Sequence, residues 1–461
     1  MQLQQKIVKR MVELGMTPVL PSFTGFVPNA ITDLYPNATV INSSTWSGFP
    51  VVYTNVTFLE LLDPLFTKLQ VAVIQRQRTY YGNVTHYYTL DQYNENSPFS
   101  GDVGYLKTWV CSYYGHDWIW CELHDFGGNQ GLEGNLPTLT KGFTSAMTNS
   151  SSLEDNQIVY DILLDQAWSS SSLNIKRYTK EFVNARYGPK IVPADVIECW
   201  HDLVNLVYMN NASSVFNVVP KSIYELAPNI NGLVNITGHH PTKAFYDFSS
   251  LVDIWKKLVG AVAASPRMLQ HPYVHYDLVD ITRQVLANQF LDLYVDFMQF
   301  YITTSPSAST SSETIDRAEP LLDVLRTADR VLYTDVNFLL GSWIARARAL
   351  AHGNDTIADY YEFEARNQIT LWGPTGQINN YASKQWGGLV GSYYLPQWEM
   401  FVESLAVQRN VSAFHPATFQ HTVLLPLGIQ WQWEKWGQVE NQTWGVQGDL
   451  LSILLELVKK F

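Results

Sequence analysis

This 461-residue chain has little cysteine, few charged residues and no long apolar run. Its three cysteines, Cys111, Cys121 and Cys199, are too few and too scattered to build a disulfide framework or a zinc site. The pairs His239-His240 and His271…His275 lack acidic or cysteine partners at ligand spacing, so they are interpreted as exposed or packing histidines, and neither a metal nor another cofactor is predicted. No stretch reaches the roughly 18 apolar residues that a membrane-spanning helix needs.

Basic residues are also in deficit, which excludes a large class of partners. The chain has 30 Lys and Arg against 42 Asp and Glu, so its net charge is −12. Because phosphate binding needs clustered Lys and Arg, nucleic acid is not an expected partner. The sequence predicts no particular oligomeric state.

Apolar and aromatic residues are abundant instead. Hydrophobic residues make up 46% of the chain, which contains 15 Trp and 26 Tyr. This composition indicates a folded protein with well-buried cores, long enough for two or three domains. Aromatic side chains suit sugar-binding clefts, because the apolar face of a pyranose packs on a flat ring. They also fill large cores, so composition alone leaves both interpretations open.

Sites for N-glycosylation are frequent. This density of Asn-x-Ser/Thr sequons indicates a glycoprotein of the secretory route, extracellular or in a lysosome-like or vacuole-like compartment. The start of the chain, residues 1–6, has no apolar segment of the kind a signal peptide needs. We therefore expect a chain that is truncated at its front, the alternative being chance sequons in a sequence rich in Asn, Ser and Thr. The sequons open at Asn37, Asn42, Asn55, Asn83, Asn149, Asn211, Asn235, Asn354, Asn410 and Asn441.

The N-terminal part alternates helix and strand patterns. Residues 3–14 predict an amphipathic helix, and a turn and a buried strand follow at residues 15–21. The same order returns when residues 58–78 (helix) precede residues 85–90 (strand). This alternation predicts an α/β domain over residues 1–168. A complete (β/α)₈ barrel takes about 250 residues, so the barrel predicted here is incomplete.

Beyond the serine run at residues 169–172 the pattern changes to long helices. We predict a mostly α-helical domain over residues 173–461, with helices at residues 319–351 and 360–371. The fold class is therefore α/β plus all-α, an incomplete TIM-type barrel followed by a helical C-terminal domain. One helix carries an apolar stripe at steps of three and four, formed by Val279, Thr282, Leu286, Phe290, Leu293, Phe297 and Phe300.

A carboxylate at a strand end points to sugar-cleaving chemistry. Glu95 follows Asn94 where a Thr/Tyr-rich strand gives way to a loop. Strand ends are rigid and face one mouth of a barrel, so such a pair can direct an acid at a glycosidic oxygen. Retaining glycosidases need two carboxyl groups about 5–5.5 Å apart, and a second one is not evident from the sequence.

Seven blocks of this chain resemble the α-N-acetylglucosaminidase family, which removes terminal α-linked N-acetylglucosamine, including from heparan-type glycans. The resemblance runs nearly end to end and implies a barrel and then a helical domain that helps wall the active site. It also implies a small N-terminal domain before the barrel, and we expect this chain to begin within the barrel. The blocks are residues 11–21, 91–95, 120–129, 186–188, 276–284, 338–343 and 371–374.

The resemblance assigns roles to individual residues. It gives Glu95 the acid/base role, which agrees with a nearby aromatic setting that can raise the pKa of a carboxyl. Asp91 is expected to orient substrate or partner side chains, or else to cap a loop. The substrate-binding residues implied are Trp46, Asp91, Asn94, Trp372, Ile378 and Tyr381.

Two departures from the family bear on activity. A passage that the family has between Leu106 and Thr108 is essentially absent here, and the position of the nucleophilic glutamate falls near Ser151. Glu154 is the nearest carboxylate, three residues later, and an acid there would also cap a helix. Because serine cannot replace a carboxylate in a retaining displacement, we expect little or no turnover.

Three interpretations remain. The first is an active, retaining and exo-acting α-N-acetylglucosaminidase that uses Glu95 with Glu154 or a more distant acid. The second, which the misplaced nucleophile favours, is an impaired or inactive relative or an incomplete gene product, with the helical domain intact and the barrel broken. The third is a non-catalytic sugar-binding protein built from the same pocket. In each case the expected partner is a glycan with terminal α-linked N-acetylglucosamine.

Overall fold

The computed structural model divides the chain into two compact units, an N-terminal unit (Met1–Trp118) and a C-terminal unit (Ile119–Phe461). The domain boundary predicted at residues 168–173 separates the barrel from the helical domain. The division into compact units follows contacts within the chain and does not test that boundary. The structure describes residues 2–43, 50–54, 56–60, 63–89, 120–122, 128–139, 146–148, 156–167, 169, 171–210, 219–236, 241–305, 310–436 and 444–461.

The N-terminal unit alternates short strands with helices. Strands β1 and β4 pair in parallel with Leu20 opposite Tyr88, while β2 and β3 pair antiparallel. Parallel pairing requires a crossover, and α4 lies within the connection between β1 and β4. The elements are α1 (Gln2–Glu13), β1 (Leu20–Pro21), α2 (Ile31–Leu34), β2 (Val40–Asn42), α3 (Val51–Thr54), β3 (Thr57–Leu59), α4 (Pro64–Tyr81) and β4 (Tyr88–Thr89).

Helix α4 begins later than the sequence pattern predicted. The predicted helix started at Phe58, but Phe58 and its neighbours form β3. The helix starts after Asp63, whose carboxylate accepts the backbone N–H of Leu65 at 2.8 Å, and Pro64 occupies the first helical turn. The helix ends at Gly82, whose φ of +81° suits glycine. The first predicted helix, by contrast, is confirmed as α1.

The C-terminal unit opens with a second parallel pair and continues in helices. Strands β5 (Trp120–Glu122) and β6 (Ala146–Thr148) pair in parallel. The helices that the structure describes in this unit all lie between residues 136 and 460. They are α5 (Leu136–Leu139), α6 (Gln157–Ala167), α7 (Ile175–Tyr187), α8 (Ala194–Leu203), α9 (Phe248–Ala263), α10 (Pro266–Leu269), α11 (Pro272–Thr303), α12 (Ser311–Leu332), α13 (Leu340–Ala349), α14 (Asp355–Gln368), α15 (Leu395–Gln408), α16 (Pro416–Phe419), α17 (Leu425–Gln432) and α18 (Leu450–Lys460).

Helix α11 is the centre of the helical core. Its predicted apolar stripe is inward, with Val279, Leu286 and Phe290 wholly buried. The burial is wider than one stripe, because α12, α9 and other elements pack on several sides of α11. Polar residues of α11 are therefore buried too, and Asp277 is paired with Arg186 at 2.6 Å. None of the helices within the described ranges is long and apolar enough to cross a membrane.

The predicted single helix over residues 319–351 is in fact two. Helix α12 ends at Leu332, a short 3₁₀ turn follows at Val336–Phe338, and α13 begins at Leu340. Asp335 causes the interruption, because its carboxylate accepts the backbone N–H of Asn337 at 2.9 Å and starts the turn. The break brings the loop after α12 beside Gly387, which donates to the carbonyl of Phe338 at 2.7 Å.

Candidate functional site

Three of the predicted substrate-binding residues lie in one folded loop, which we call the aromatic corner (Trp372, Ile378 and Tyr381). The rings of Trp372 and Tyr381 meet edge to face, with centroids 5.2 Å apart and an interplanar angle of 88°. The N–H of Tyr381 donates to the carbonyl of Ile378 at 3.1 Å. All three side chains are half-buried. This exposure suits a pocket wall better than a core position.

The other predicted site residues lie outside the residues that the structure describes. They are Glu95, Glu154, Trp46, Asp91 and Asn94, together with Ser151, the expected position of the nucleophile. The predicted site residues within the described part of the chain are Trp372, Ile378 and Tyr381.

Asn367, at the end of α14, fixes the backbone at the start of the loop that forms the aromatic corner. Its carbonyl accepts the N–H of Trp372 at 2.7 Å and its side-chain oxygen accepts the N–H of Gly373 at 3.0 Å. These bonds hold Trp372 at a φ of +39° and Gly373 at +142°, backbone conformations that L-residues rarely adopt. Trp372 therefore projects from a strained turn rather than from a helix.

A buried lysine anchors the far end of the corner. Lys221 Nζ donates to the carbonyl oxygens of Asn380 and Tyr381, both at 2.9 Å, and to the hydroxyl of Ser383 at 2.6 Å. These three acceptors match the three donors of an ammonium group. Burial lowers the pKa of Lys221 to about 7, while the charge of Glu225 opposes that shift. Lys221 thus fixes the backbone that carries Tyr381.

Glu225 completes the anchor. Its wholly buried carboxylate accepts the N–H of Ser222 at 2.8 Å, the hydroxyl of Ser383 at 3.0 Å and the side-chain amide of Gln385 at 2.9 Å. Ser383 accepts from Lys221 and donates to Glu225, so the two charges are joined through one hydroxyl. A buried polar network with its members satisfied in this way gives a loop one well-defined position.

A second set of contacts ties the same loop to residues 128–131. Lys384 Nζ donates to the carbonyl of Gly128 at 2.5 Å, and the N–H of Gln385 donates to Gln130 Oε1 at 2.6 Å. Gly128 has a φ of +72°, and a β-carbon there would collide with the Lys384 ammonium group. The glycine at this position therefore leaves the space that the Lys384 ammonium group occupies.

Asn129, the last residue of the family block 120–129, has a structural role. It is almost fully buried, and its amide donates to the carbonyl of Val219 at 3.0 Å. His124 and Gly127 of the same motif lie outside the described residues. Residues 128–131 therefore support the loop that carries the aromatic corner, through their hydrogen bonds to Lys384 and Gln385.

Trp372 also borders an open cleft of about 600 Å³ between α13 and α14. Trp343, Tyr361 and Asn367 line the same cleft, which therefore combines aromatic faces with a side-chain amide. This mixture is suited to a sugar ring, whose C–H face packs on aromatics while its hydroxyls take hydrogen bonds.

Sequence reasoning missed the residues that hold the corner in place. Asn367, Lys221 and Glu225 belong to no motif, and the last two are about 150 residues away from the loop that they anchor. Trp343 could have been found, because it ends one of the blocks that carried the family resemblance. Across the described ranges, no group of three or more His, Cys, Asp or Glu side chains is placed to hold a metal ion.

Two family models match the chain. The model of the alpha-N-acetylglucosaminidase C-terminal domain matches residues 178–460, and the model of the tim-barrel domain matches residues 1–112 and 107–170. Human alpha-N-acetylglucosaminidase is 28% identical over 482 aligned positions, which cover 87% of this chain and 62% of the human protein.

Solved structures of a family 89 glycoside hydrolase from Clostridium perfringens share the fold. Its complex with 2-acetamido-1,2-dideoxynojirimycin superposes with a TM-score of 0.82 at 20% identity, covering 99% of this chain and 57% of that one. A variant of the same enzyme was solved with its substrate GlcNAc-alpha-1,4-galactose, at a TM-score of 0.81. The chain spans less than two thirds of the length of these relatives. These findings support an N-terminal TIM-barrel domain followed by a helical domain.

Proposed function

This chain belongs to the alpha-N-acetylglucosaminidase family, and we propose that its site is that of a retaining, exo-acting α-N-acetylglucosaminidase whose turnover is impaired. In this proposal a terminal α-linked N-acetylglucosamine residue of a glycan binds against the aromatic corner. The alternative is a catalytically inactive relative or an incomplete gene product, with or without sugar binding.

The observation that carries the proposal is the anchored aromatic corner. Trp372 and Tyr381 meet edge to face, and Lys221 bonds directly to the carbonyl of Tyr381. A wall fixed in this way can discriminate a ligand, because little side-chain or loop ordering is left to occur on binding. The same residues are those that the family resemblance assigned to the walls around the sugar.

Impairment is proposed from the sequence positions of the carboxylates. Glu95 would serve as acid/base, first donating a proton to the leaving oxygen and then accepting one from water. The partner nucleophile is expected near Ser151, where no carboxylate stands, and Glu154 is three residues away. The barrel model matches in two stretches that meet at residues 107–112, which supports a shortened barrel over residues 1–168. The helical domain of the proposal covers residues 173–461.

An activity assay with three variants tests the impairment. We expect the wild-type chain to release little or no product from an aryl α-N-acetylglucosaminide. Ser151→Glu should raise the rate if position 151 is the nucleophile position, and adding Glu95→Gln should abolish that gain. Robust wild-type turnover that is lost in Glu154→Gln would instead establish Glu154 as the nucleophile of an active enzyme.

A binding assay tests the recognition. Calorimetry with N-acetylglucosamine should detect binding to the wild-type chain that Trp372→Ala weakens about tenfold or more, because an aromatic platform is removed. Trp433→Phe, at an exposed tryptophan outside the corner, serves as the matched control. Equal binding by wild type and Trp372→Ala would refute recognition at the corner.

We also propose that the chain is a glycoprotein of the secretory route. Every sequon asparagine within the described residues is exposed, as an acceptor of a glycan must be. Expression in a eukaryotic secretory host should add mass that a peptide N-glycosidase removes. A chain of unmodified mass would contradict the proposal. The exposed asparagines are Asn37, Asn42, Asn83, Asn235, Asn354 and Asn410.

A further inference from the structure

The side-chain amide of Asn367 lies where the cleft between α13 and α14 meets the aromatic corner. Asn367 lines this cleft together with Trp372, and its backbone carbonyl accepts the N–H of Trp372 at 2.7 Å. We propose that Asn367 is a specificity-determining residue of the sugar site, whose Nδ2 donates a hydrogen bond to an oxygen of the pyranose that packs on Trp372. This inference rests on the proposed function and deepens it by naming a donor that contacts the sugar.

The orientation of the Asn367 amide is fixed by a backbone donor. Its oxygen, Oδ1, accepts the N–H of Gly373 at 3.0 Å and the side-chain amide of Gln432 at 3.0 Å. A flipped amide would turn its NH₂ group toward the N–H of Gly373, which can only donate. Nδ2 is therefore the end of the side chain that is left for another partner.

This nitrogen is both unpaired and accessible. Asn367 Nδ2 has no hydrogen-bond acceptor among the residues that the structure describes, and the atom is not buried. Because Asn367 is half-buried and borders the open cleft, an occupant of the cleft can reach it. An amide NH₂ group donates and does not accept, so the partner must bring an acceptor oxygen, such as that of a hydroxyl or a carbonyl.

Accessible aromatic side chains border the cleft beside this donor. Trp343, Tyr361 and Trp372 are each half-buried, so part of each remains open to an occupant. The indole N–H of Trp343 already donates to the carbonyl of Ala365 at 2.9 Å, so this ring offers the cleft apolar surface. Apolar ring surface beside a hydrogen-bond donor matches the C–H face and the hydroxyl edge of a pyranose. The cleft volume of about 600 Å³ is ample for such a ring.

Asn367 holds the donor and the aromatic platform in one arrangement. Its carbonyl bonds to Trp372 and its side-chain oxygen bonds to Gly373, so the same residue fixes the backbone of the platform and the direction of Nδ2. The bond from Gln432, which is almost fully buried, restrains the amide from a second side. A donor restrained in this way loses little freedom when a ligand binds, which favours selective recognition.

Asn367→Asp tests the contact, because it preserves the size of the side chain and an oxygen for Gly373 and Gln432 while an acceptor replaces the donor. At pH 7, calorimetry with N-acetylglucosamine should show binding weakened about tenfold or more. Hydrogen exchange in residues 370–376 should stay at the wild-type rate. Weaker binding with faster exchange in that loop would show that Asn367 only holds the loop, and would overturn the inference. Asn205→Asp, at an exposed asparagine outside the cleft, adds the same charge and should bind like the wild-type chain.

Analogues of the sugar identify the accepting oxygen. The series consists of glucose, which lacks the acetamido group, and deoxy forms of N-acetylglucosamine that each lack one hydroxyl. One of these should bind the wild-type chain about tenfold more weakly and lose nothing further in Asn367→Asp, because the two changes remove the same contact. Equal losses in both chains for every analogue would overturn the inference.

A crystal structure of the wild-type chain with N-acetylglucosamine provides a measurement that needs no variant to fold. A sugar oxygen should lie about 2.8–3.2 Å from Asn367 Nδ2. A bound sugar that leaves Nδ2 to water alone would overturn the inference.

Trp372→Ala separates this inference from the proposed function. If Trp372→Ala weakens binding and Asn367→Asp does not, the proposed function stands and the contact with Asn367 is overturned. If the wild-type chain does not bind N-acetylglucosamine, or binds it no better than Trp372→Ala does, the proposed function fails and the inference fails with it.

Discussion

At the scale of single residues, Lys221 is the side chain on which the position of Tyr381 depends most directly. Its ammonium group satisfies two backbone carbonyls and Ser383, and through Ser383 it is joined to the buried Glu225. Removing it would leave two backbone carbonyls and the Ser383 hydroxyl without their donor, and it would leave the buried charge of Glu225 without its compensating ammonium group. Such losses are more costly than the net contribution of the bonds themselves.

We predict that Lys221→Met lowers the free energy of unfolding by about 3 kcal/mol and increases backbone hydrogen exchange in residues 377–388. It should also weaken N-acetylglucosamine binding by loosening the corner. Denaturant unfolding and hydrogen exchange with mass analysis provide the measurements. Lys257→Met, at an exposed lysine, is the control and should change neither quantity.

Gly131 offers a second test at the residue scale, because its backbone packs directly against Pro220. A β-carbon there would lie far inside van der Waals contact with the carbonyl of Pro220, and backbone atoms have little room to yield. We expect Gly131→Ala to destabilise the fold by about 1–3 kcal/mol. Gly260→Ala is the matched control, because Gly260 lies in α9 with nothing within 4 Å of the added carbon and should gain up to about 1 kcal/mol. Equal effects of the two substitutions in urea unfolding would contradict this account.

The same scale shows what the sequence could reveal about the site. Trp372 and Tyr381 were predicted as neighbours in function because each matched a family position, and the structure brings their rings together. Lys221 and Glu225 could not be predicted, since a lone lysine and a lone glutamate look like surface residues until a tertiary contact buries them. Pairing across about 160 residues leaves no local pattern.

At the scale of elements, the sequence prediction was wrong where a capping residue, rather than apolar spacing, determines the end of a helix. Periodicity placed a helix start at Phe58, but the Asp63–Pro64 pair is an N-cap followed by a helix-starting proline and fixes the start of α4. That signal was present in the sequence and outweighs apolar spacing. Asp335 similarly interrupts the helix predicted over residues 319–351, through a side-chain to backbone bond that periodicity does not detect.

The capping role of Asp63 predicts a local effect in the N-terminal unit. Its carboxylate accepts the N–H groups of Leu65 at 2.8 Å and Thr39 at 2.7 Å, so one side chain joins α4 to the loop before β2. Asp63→Ala should cost about 1–2 kcal/mol and raise hydrogen exchange at the start of α4. Asp33→Ala, at an exposed aspartate, is the control. Unchanged exchange at residues 64–67 in Asp63→Ala would disprove the cap.

At the scale of the whole molecule, the family and the two-part architecture were predictable because long motif blocks recur along the chain and the pattern changes to long helices after residue 172. The burial of α11 on several sides was not predictable, since an apolar stripe predicts only one buried face. Polar residues of α11 thus required partners from other helices, as Asp277 has in Arg186. Only the assembled core determines which of them are paired.

The assembled core also buries carboxyls whose titration couples folding to pH. Burial raises the pKa of Glu133 to about 7 and that of Asp329 to about 6. A carboxyl whose pKa is higher in the folded chain contributes stability that is fully present below its unfolded pKa, near 4.5 or 3.8, and that is lost as pH rises through the folded pKa. Lys221 acts in another window, since its lowered pKa of about 7 adds stability only as pH rises above that value.

We therefore predict that the free energy of unfolding falls by about 2–3 kcal/mol for each of these two carboxyls between pH 4.5 and pH 7. Urea unfolding at intervals across that range gives the measurement. Glu133→Gln keeps the hydrogen bond acceptor for Asn210, which donates to Glu133 at 2.7 Å, but removes the charge, so its stability should fall less steeply with pH. Asp323→Asn, at an exposed aspartate, is the matched control and should retain the wild-type slope. A wild-type stability that rises from pH 4.5 to pH 7 would show that these carboxyls do not govern the response. A fall would favour an acidic, lysosome-like or vacuole-like compartment over an extracellular location, the two destinations that the sequons led us to expect.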